Sequence, residues 1–250
     1  MLFYAKYPEE STGQHNLVLI HGAGGSHLYW PAALRRLAGV NVYALDLPAH
    51  GRSGGGTRIT LSEYAATVHR FVLTLGLPCA TVLGHSMGGG IALLLALHRL
   101  PWLEKVILLG SAARLHVPAD ILESLNPRRG KEDFEKALDL VSQRIYGPRA
   151  DHQLRWRGRQ LLRAASPAVL YADYLACAQF DCSAQVGTIA LPTLVICGDA
   201  DQMVAPEASC GLSQQIPHAQ LVIIRGAGHM LMLEKPVEVA EAVARFLGVV

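Results

Sequence analysis

A few side chains in this sequence have the types and spacing of a covalent catalyst. Ser86 is the centre of Gly84-His85-Ser86-Met87-Gly88, Asp199 and Asp201 follow Gly198, and His229 closes Gly226-Ala227-Gly228-His229. A serine hydroxyl at neutral pH is a weak nucleophile and needs a base. Histidine, with an ordinary pKa near neutrality, is the default base. The imidazole in turn needs a carboxylate on its other nitrogen, to fix its tautomer and stabilise the imidazolium. A set of this kind attacks a carbonyl carbon and passes through an acyl-enzyme. Its activity should fall as the pH drops through the ordinary histidine range of about 6–7.

The elements around these residues determine whether they can meet. Ala80-Thr81-Val82-Leu83 is a short apolar run that reads as a buried strand, and Gly89 to His98 reads as a buried helix. A Gly-x-Ser-x-Gly between strand and helix is a nucleophile elbow, with the serine at the tip of a strained turn. Gly84 and Gly88 suit a place where strand and helix approach too closely for a Cβ. The helix N-terminus turns its free N–H groups and positive dipole end toward the same spot.

Further apolar runs, at Leu17–Ile20, Val40–Leu45, Lys105–Gly110, Pro192–Cys197 and Gln220–Ile224, read as strands. Helical patterns separate them at Leu28–Leu37, at Ser62–Leu75 with Ser62 as N-cap, at about 206–215 and at Pro236–Leu247. Alternating strands and helices imply a parallel sheet with right-handed crossovers. Residues 1–7 are expected to add one short strand, and Glu9 to His15 a polar turn. In such a sheet Ser86, one of the two aspartates and His229 can meet only on loops at the strands' carboxyl ends. His218 precedes its strand and so belongs to the wrong end.

Two other loops lie at the same end. His21-Gly22-Ala23-Gly24-Gly25 has neither a GKS/T sequence nor a complete GxGxxG, so a phosphate loop fits it poorly. An oxyanion loop, with a backbone N–H near Ala23 facing the nucleophile, fits better. Asp46 and His50 could form an acid–base pair or simply tie down their own loop, and the second reading is preferred. Between about Ala112 and Gly187 the strand pattern disappears. Lys131–Ile145, Asp151–Ala165 and Pro167–Phe180 read as helices, so the stretch is a helical insertion able to cover the carboxyl-end face. Arg155, Arg157 and Arg159 within it offer either a seat for an acidic substrate or an ordinary solvated face, and the latter is the default.

Composition excludes several classes. The chain has 250 residues, 51% of them hydrophobic, and a net charge of +2 without a basic block, which argues against a nucleic-acid partner. No apolar run has membrane-spanning length, and the first residues lack a signal-peptide core. The five cysteines (Cys79, Cys177, Cys182, Cys197, Cys210) form no CxxC pair, so reduced thiols in a cytoplasmic protein are expected, with no zinc site.

Taken in order, His21-Gly22, Asp46-Leu47-Pro48-Ala49-His50-Gly51-Arg52-Ser53, Gly84-His85-Ser86-Met87-Gly88, Gly198-Asp199-Ala200-Asp201 and Gly228-His229 resemble the motifs of the α/β-hydrolase superfamily, of the small capped kind. The resemblance spans nearly the whole chain. It implies an α/β fold, a mostly parallel sheet of about seven or eight strands flanked by helices. It also implies a core of residues 1–111 and 188–250 and a helical cap of residues 112–187. It makes Ser86 the nucleophile, His229 the base and Asp201 the acid, because the family's acid stands three residues after the glycine that Gly198 matches. The backbone N–H groups of Ala23 and Met87 become the oxyanion donors. Two departures stand out: a short N-terminus, which could lack the usual first antiparallel strand, and Ala49 in place of the frequent glycine.

Serine at the elbow argues against the family's aspartate-dependent dehalogenases and epoxide hydrolases. The resemblance then implies a carboxylesterase without cofactor or metal, acting on a small-molecule ester with a small to medium apolar acyl group. Met87, Met203, Met230, Leu231 and Met232 would form a soft wall beside the site. The alternatives are a carbon–carbon bond hydrolase of a diketone acid, with the cap arginines on the carboxylate, and a receptor-like member that binds a small ligand and then a partner protein.

Overall fold

The computed structural model describes residues 2–8, 10 and 13–249. Met1, and Glu9, Ser11 and Thr12 of the expected polar turn, lie outside the described residues. Strands form at β1 (Tyr4–Tyr7), β2 (His15–Ile20), β3 (Val40–Leu45), β4 (Ala80–His85), β5 (Leu103–Leu109), β6 (Thr193–Gly198) and β7 (Gln220–Ile224). They make one seven-stranded sheet in the order β1-β3-β2-β4-β5-β6-β7. All pairings are parallel except that of β1 with β3. Thus the short N-terminal segment does supply an antiparallel edge strand.

The helices are α1 (Ala32–Arg35), α2 (Leu61–Thr74), α3 (Met87–Leu97), α4 (Ala119–Leu125), α5 (Lys131–Arg144), α6 (His152–Ala164), α7 (Pro167–Ala178), α8 (Pro206–Gln215), α9 (Leu231–Glu234) and α10 (Pro236–Leu247). Successive strand residues point to opposite faces, which explains why the central strands are apolar throughout. On one face Val18, Ile20, Val82, Val106, Leu108 and Val195 pack with α2, α3 and α8. On the other Leu17, Leu19, Leu83, Ile107 and Ile196 pack with α1 and α10. Burial on both faces is the expected state of a parallel sheet.

Three local expectations change. The helix expected over Leu28–Leu37 is broken into a 3-10 turn at His27–Tyr29 and the single turn of α1. Pro31 causes the break: it pushes the preceding Trp30 into extended backbone, with φ −87° and ψ 124°. Helix α2 is capped by Thr60 rather than Ser62. The Thr60 hydroxyl accepts from Glu63 N–H while the Glu63 carboxylate accepts from Ile59 N–H, a reciprocal capping box. Helices α4 and α9 went unseen because seven and four residues are too short to show a helical period.

Helices α4 to α7 all lie between β5 and β6. The two stems of this segment run side by side: Cys182 N–H donates to the Ala113 carbonyl at 2.8 Å, and Arg114 bridges Asp181 in antiparallel fashion.

Candidate active site

The turn from β4 to α3 holds Ser86 at φ 55° and ψ −116°. A non-glycine residue in that region carries strain that only a well-determined surround sustains. The surround is visible. Ser86 N–H donates to the Leu109 carbonyl, and its own carbonyl accepts from Gly89 N–H and the Ser111 hydroxyl, each at 2.9 Å. A Cβ on Gly84 would collide with the backbone of Gly88, and one on Gly88 with the carbonyl of Ile20. The strand–helix contact therefore requires both glycines.

Asp201 follows β6 and His229 follows β7, which brings both to the same end of the sheet as Ser86. His229 Nδ1 lies 2.8 Å from Asp201 Oδ2, and both side chains are buried. The other carboxylate oxygen of Asp201 accepts from the N–H groups of Met203 and Val204 at 2.8 and 2.9 Å. Burial pushes the Asp201 carboxyl up, but His229 and these N–H donors outweigh it and hold the group below the ordinary carboxylate range. An acceptor on Nδ1 puts the proton there, which leaves Nε2 as the imidazole's basic nitrogen. Asp199 does not approach His229. It accepts from Gly226 N–H at 2.6 Å and so ties down the turn after β7.

Ser86 and His229 line one cavity together with Gly22 and Ala23. Among the described residues the Ser86 hydroxyl and the N–H groups of Ala23 and Met87 have no hydrogen-bond partner. Neighbouring His85 donates from Nε2 to the His229 carbonyl at 3.0 Å and so braces the histidine loop. Burial first, then His229, lowers its pKa to about 3, so it stays neutral. His218 lies in the turn before β7, at the far end of the sheet.

The rest of the cavity wall comes mainly from residues whose role the sequence left unassigned: Leu115, Val117, Val141, Ile145, Leu161 and Leu162 of the helical segment. Of the expected methionine-rich wall only Met203 and Met230 reach the cavity, whereas Met87, Leu231 and Met232 are buried in the core. Tyr146 lines the cavity too, and its buried hydroxyl has no partner among the described residues. Among the described residues no lysine, arginine, aspartate or glutamate contributes to the wall.

None of the three arginines lines the cavity. Arg155 donates to the carbonyls of Gly147 and Ala150, and Arg159 pairs with Glu135 and Asp139. Arg157 is exposed. Asp46 and His50 do not pair with each other either. Asp46 accepts from His27 Nδ1 and from the N–H of His27 and Arg52, which ties down its loop. His50 instead meets Asp173 of α7. Periodicity gave no sign of that contact.

A strained serine at a strand–helix turn, a histidine–aspartate pair two loops away and a glycine-rich loop opposite are the marks of one class. The sequence profile of the Alpha/beta hydrolase family matches residues 17–242, and the chain belongs to that family. It is 28% identical over 247 residues to the pimeloyl-[acyl-carrier protein] methyl ester esterase of Edwardsiella ictaluri, with 94% of each chain covered. It is 27% identical over 260 residues to the 2-succinyl-6-hydroxy-2,4-cyclohexadiene-1-carboxylate synthase of Salmonella agona, with 99% of each covered. Among solved structures, a hydrolase from Pseudomonas aeruginosa superposes with a TM-score of 0.87 at 27% identity, covering 99% of this chain and 94% of that one. Among the described residues no helix is long and apolar enough to cross a membrane.

Proposed function

We propose that the protein is a serine carboxylesterase that cleaves esters of small to medium, uncharged and largely apolar acyl groups. One observation carries the reading: the His229–Asp201 pair and the strained Ser86 share a cavity whose wall, among the described residues, is mostly apolar and contains no lysine, arginine, aspartate or glutamate. Ser86 is the nucleophile, His229 the base and Asp201 the residue that orients it. The N–H groups of Ala23 and Met87 are the oxyanion donors. Residues 112–187 act as a cap that supplies most of the acyl-binding surface.

The steps follow from these roles. Ser86 Oγ bonds to the ester carbonyl carbon as His229 Nε2 takes its proton. The carbonyl oxygen gains the negative charge and receives the two N–H groups, each worth on the order of a hundred- to a thousand-fold in rate. The carbon–oxygen bond to the alcohol breaks, and the alcohol leaves with the proton from His229. Water then repeats the sequence on the acyl-enzyme and releases the acid.

The carbon–carbon bond hydrolase reading relied on cap arginines to bind a substrate carboxylate. With Arg155 and Arg159 bonded elsewhere and Arg157 exposed, it has no residue to rest on. The test is steady-state hydrolysis of p-nitrophenyl esters from acetate to decanoate, with Ser86→Ala alongside. Cleavage that disappears in the variant supports the esterase, and the optimal chain length measures the acyl pocket. Failure to cleave any member would overturn it, and slow single turnover with a ligand-dependent melting shift would point to a receptor.

A further inference from the structure

A second buried carboxylate, outside the triad, joins the cap to the loop that carries Ala23. Asp173 on α7 is fully buried. Its Oδ2 accepts from the backbone N–H of Gly24 at 2.8 Å and faces His50 Nε2 at 2.7 Å. Its Oδ1 accepts from the Tyr64 hydroxyl at 2.6 Å. Gly24 directly follows Ala23, so holding its N–H anchors the Ala23–Gly24 peptide plane, one φ/ψ pair away from the Gly22–Ala23 plane that carries the Ala23 N–H. The loop is also moulded to α7 sterically. Gly24 has φ +64°, and a Cβ there would come within 2.5 Å of Leu170 Cδ1.

His50 faces acceptors on both sides, with the Pro48 carbonyl 2.9 Å from Nδ1 and Asp173 2.7 Å from Nε2. A neutral imidazole has one N–H and can serve only one of them, whereas the imidazolium serves both. Burial opposes the charged form, but the hydrogen bond and charge of Asp173 outweigh it, so the pKa of His50 is raised.

The other groups facing the pair leave that charge balance intact. The His21 ring lies 4.9 Å from that of His50. It donates from Nδ1 to the Gly22 carbonyl and accepts Leu47 N–H at Nε2, and burial keeps it neutral. Asp46 is held by His27 and Arg52 N–H. Burial pushes Tyr64, Tyr174 and Cys177 up, so they stay protonated.

We propose that Asp173 is a positioning residue for the oxyanion hole. From the cap it grips the Gly24 N–H, with the His50 imidazolium as counter-charge, and so aims the Ala23 N–H at the developing oxyanion. The inference rests on the serine-hydrolase reading. It adds that cap and oxyanion loop work as one unit.

The experiment compares wild type with Asp173→Asn, after counting competent serines by stoichiometric reaction with a fluorophosphonate. An asparagine keeps the size but loses the charge, and its amide NH2 would confront one of the three donors. Per competent site, kcat on p-nitrophenyl butyrate should fall about 10- to 100-fold, less than the roughly hundred- to thousand-fold of removing an oxyanion donor outright because the donor is displaced and not lost, with KM within about threefold. The Ki of a trifluoromethyl ketone, whose adduct with the serine carries an oxyanion, should rise by the same factor as kcat/KM falls.

In wild type, per-site kcat should fall as the pH rises through the raised pKa of His50. That alkaline limb should be missing in the variant. A per-site kcat within twofold of wild type, a loss borne by KM, or an unchanged Ki would overturn the proposal. If Asp173→Asn yields no folded protein, His50→Gln decides by the same readouts, with a kcat loss of about three- to tenfold expected. Failure of the underlying reading is distinguishable, because wild type itself would then either not react with the fluorophosphonate or react without turning over p-nitrophenyl butyrate.

Discussion

Two of the buried histidine–carboxylate pairs, His229–Asp201 and His50–Asp173, differ at a single nitrogen. In the region after β7, His229 gives Nδ1 to Asp201 and leaves Nε2 without a partner among the described residues, beside the cavity. In the region under α7, His50 gives Nε2 to Asp173 and Nδ1 to a carbonyl, so neither nitrogen is left. Distance hardly separates the two pairs, at 2.8 and 2.7 Å. Proximity of histidine to aspartate therefore does not identify a base. The unengaged nitrogen does, because a general base must have a lone pair within reach of the substrate. On the proposed reading the first pair accepts a proton and the second retains one.

The largest way to break this contrast is at the nucleophile. Ser86→Ala should lower kcat by on the order of a million-fold, measured on p-nitrophenyl butyrate in protein purified free of background esterases. A loss of only a few-fold would remove Ser86 from the mechanism. Next comes the orienting carboxylate. Asp201→Asn keeps the packing but can leave His229 with its proton on the wrong nitrogen, and a loss of about ten-thousand-fold is expected. Asp173→Asn, which disturbs a donor rather than the base, should fall far short of that. If the two asparagine variants lost activity equally, the division into a catalytic and a positioning pair would collapse.

Protonation sharpens the comparison through stability, because the two pairs act at opposite ends of the pH range. His50 has a raised folded pKa, so its contribution is fully present below the ordinary histidine value of about 6.5 and is lost as the pH rises through the folded value. Asp201 has a lowered folded pKa, so its contribution is present above about 3.9 and is lost as the pH falls through the folded value. Melting temperature measured from pH 3 to 10 should decline at both ends. Asp173→Asn should flatten the alkaline decline and leave the acid one in place. A tenfold difference in proton affinity between the folded and unfolded chain is worth about 1.4 kcal/mol, which for a chain of this size moves the melting temperature by a few degrees. An alkaline decline that survives in the variant would mean that His50 is not the group responsible.

The same contrast explains what could be read from the sequence. The sheet was legible because strands covered on both faces are written as unbroken apolar runs, and the elbow because its glycines answer to a backbone approach that admits no Cβ. Ser86 and Asp201 each sit just past such a run, and His229 follows the apolar but more exposed β7, so topology alone brought them to one end. Asp173 had no comparable mark. It lies in the middle of Pro167–Ala178, where helical spacing tells which face is buried but not which loop more than a hundred residues away supplies a partner. Arg155 and Arg159 show the converse. Their clustering left a ligand seat open beside the default of a solvated face, and they are satisfied by carbonyls and acids within the helical segment itself.

The smallest expected effect concerns Tyr146, which neither pair touches. Burial, then Glu234, pushes its pKa up to about 12, so it keeps its proton, and its hydroxyl has no partner among the described residues. A buried hydroxyl without a partner costs about 1–3 kcal/mol, and a substrate oxygen placed there would recover part of that. Tyr146→Phe should therefore move two measurements in opposite directions. The melting temperature should hold or rise slightly. For an ester with an ether oxygen in its acyl chain, kcat/KM should fall about three- to tenfold relative to the all-carbon ester of equal length. Gly158 offers a second way to disturb the same hydroxyl, because a Cβ there would overlap it, and Gly158→Ala should lower both rates by displacing the ring. Equal effects of Tyr146→Phe on the two esters would leave the cavity selecting its acyl group by shape alone.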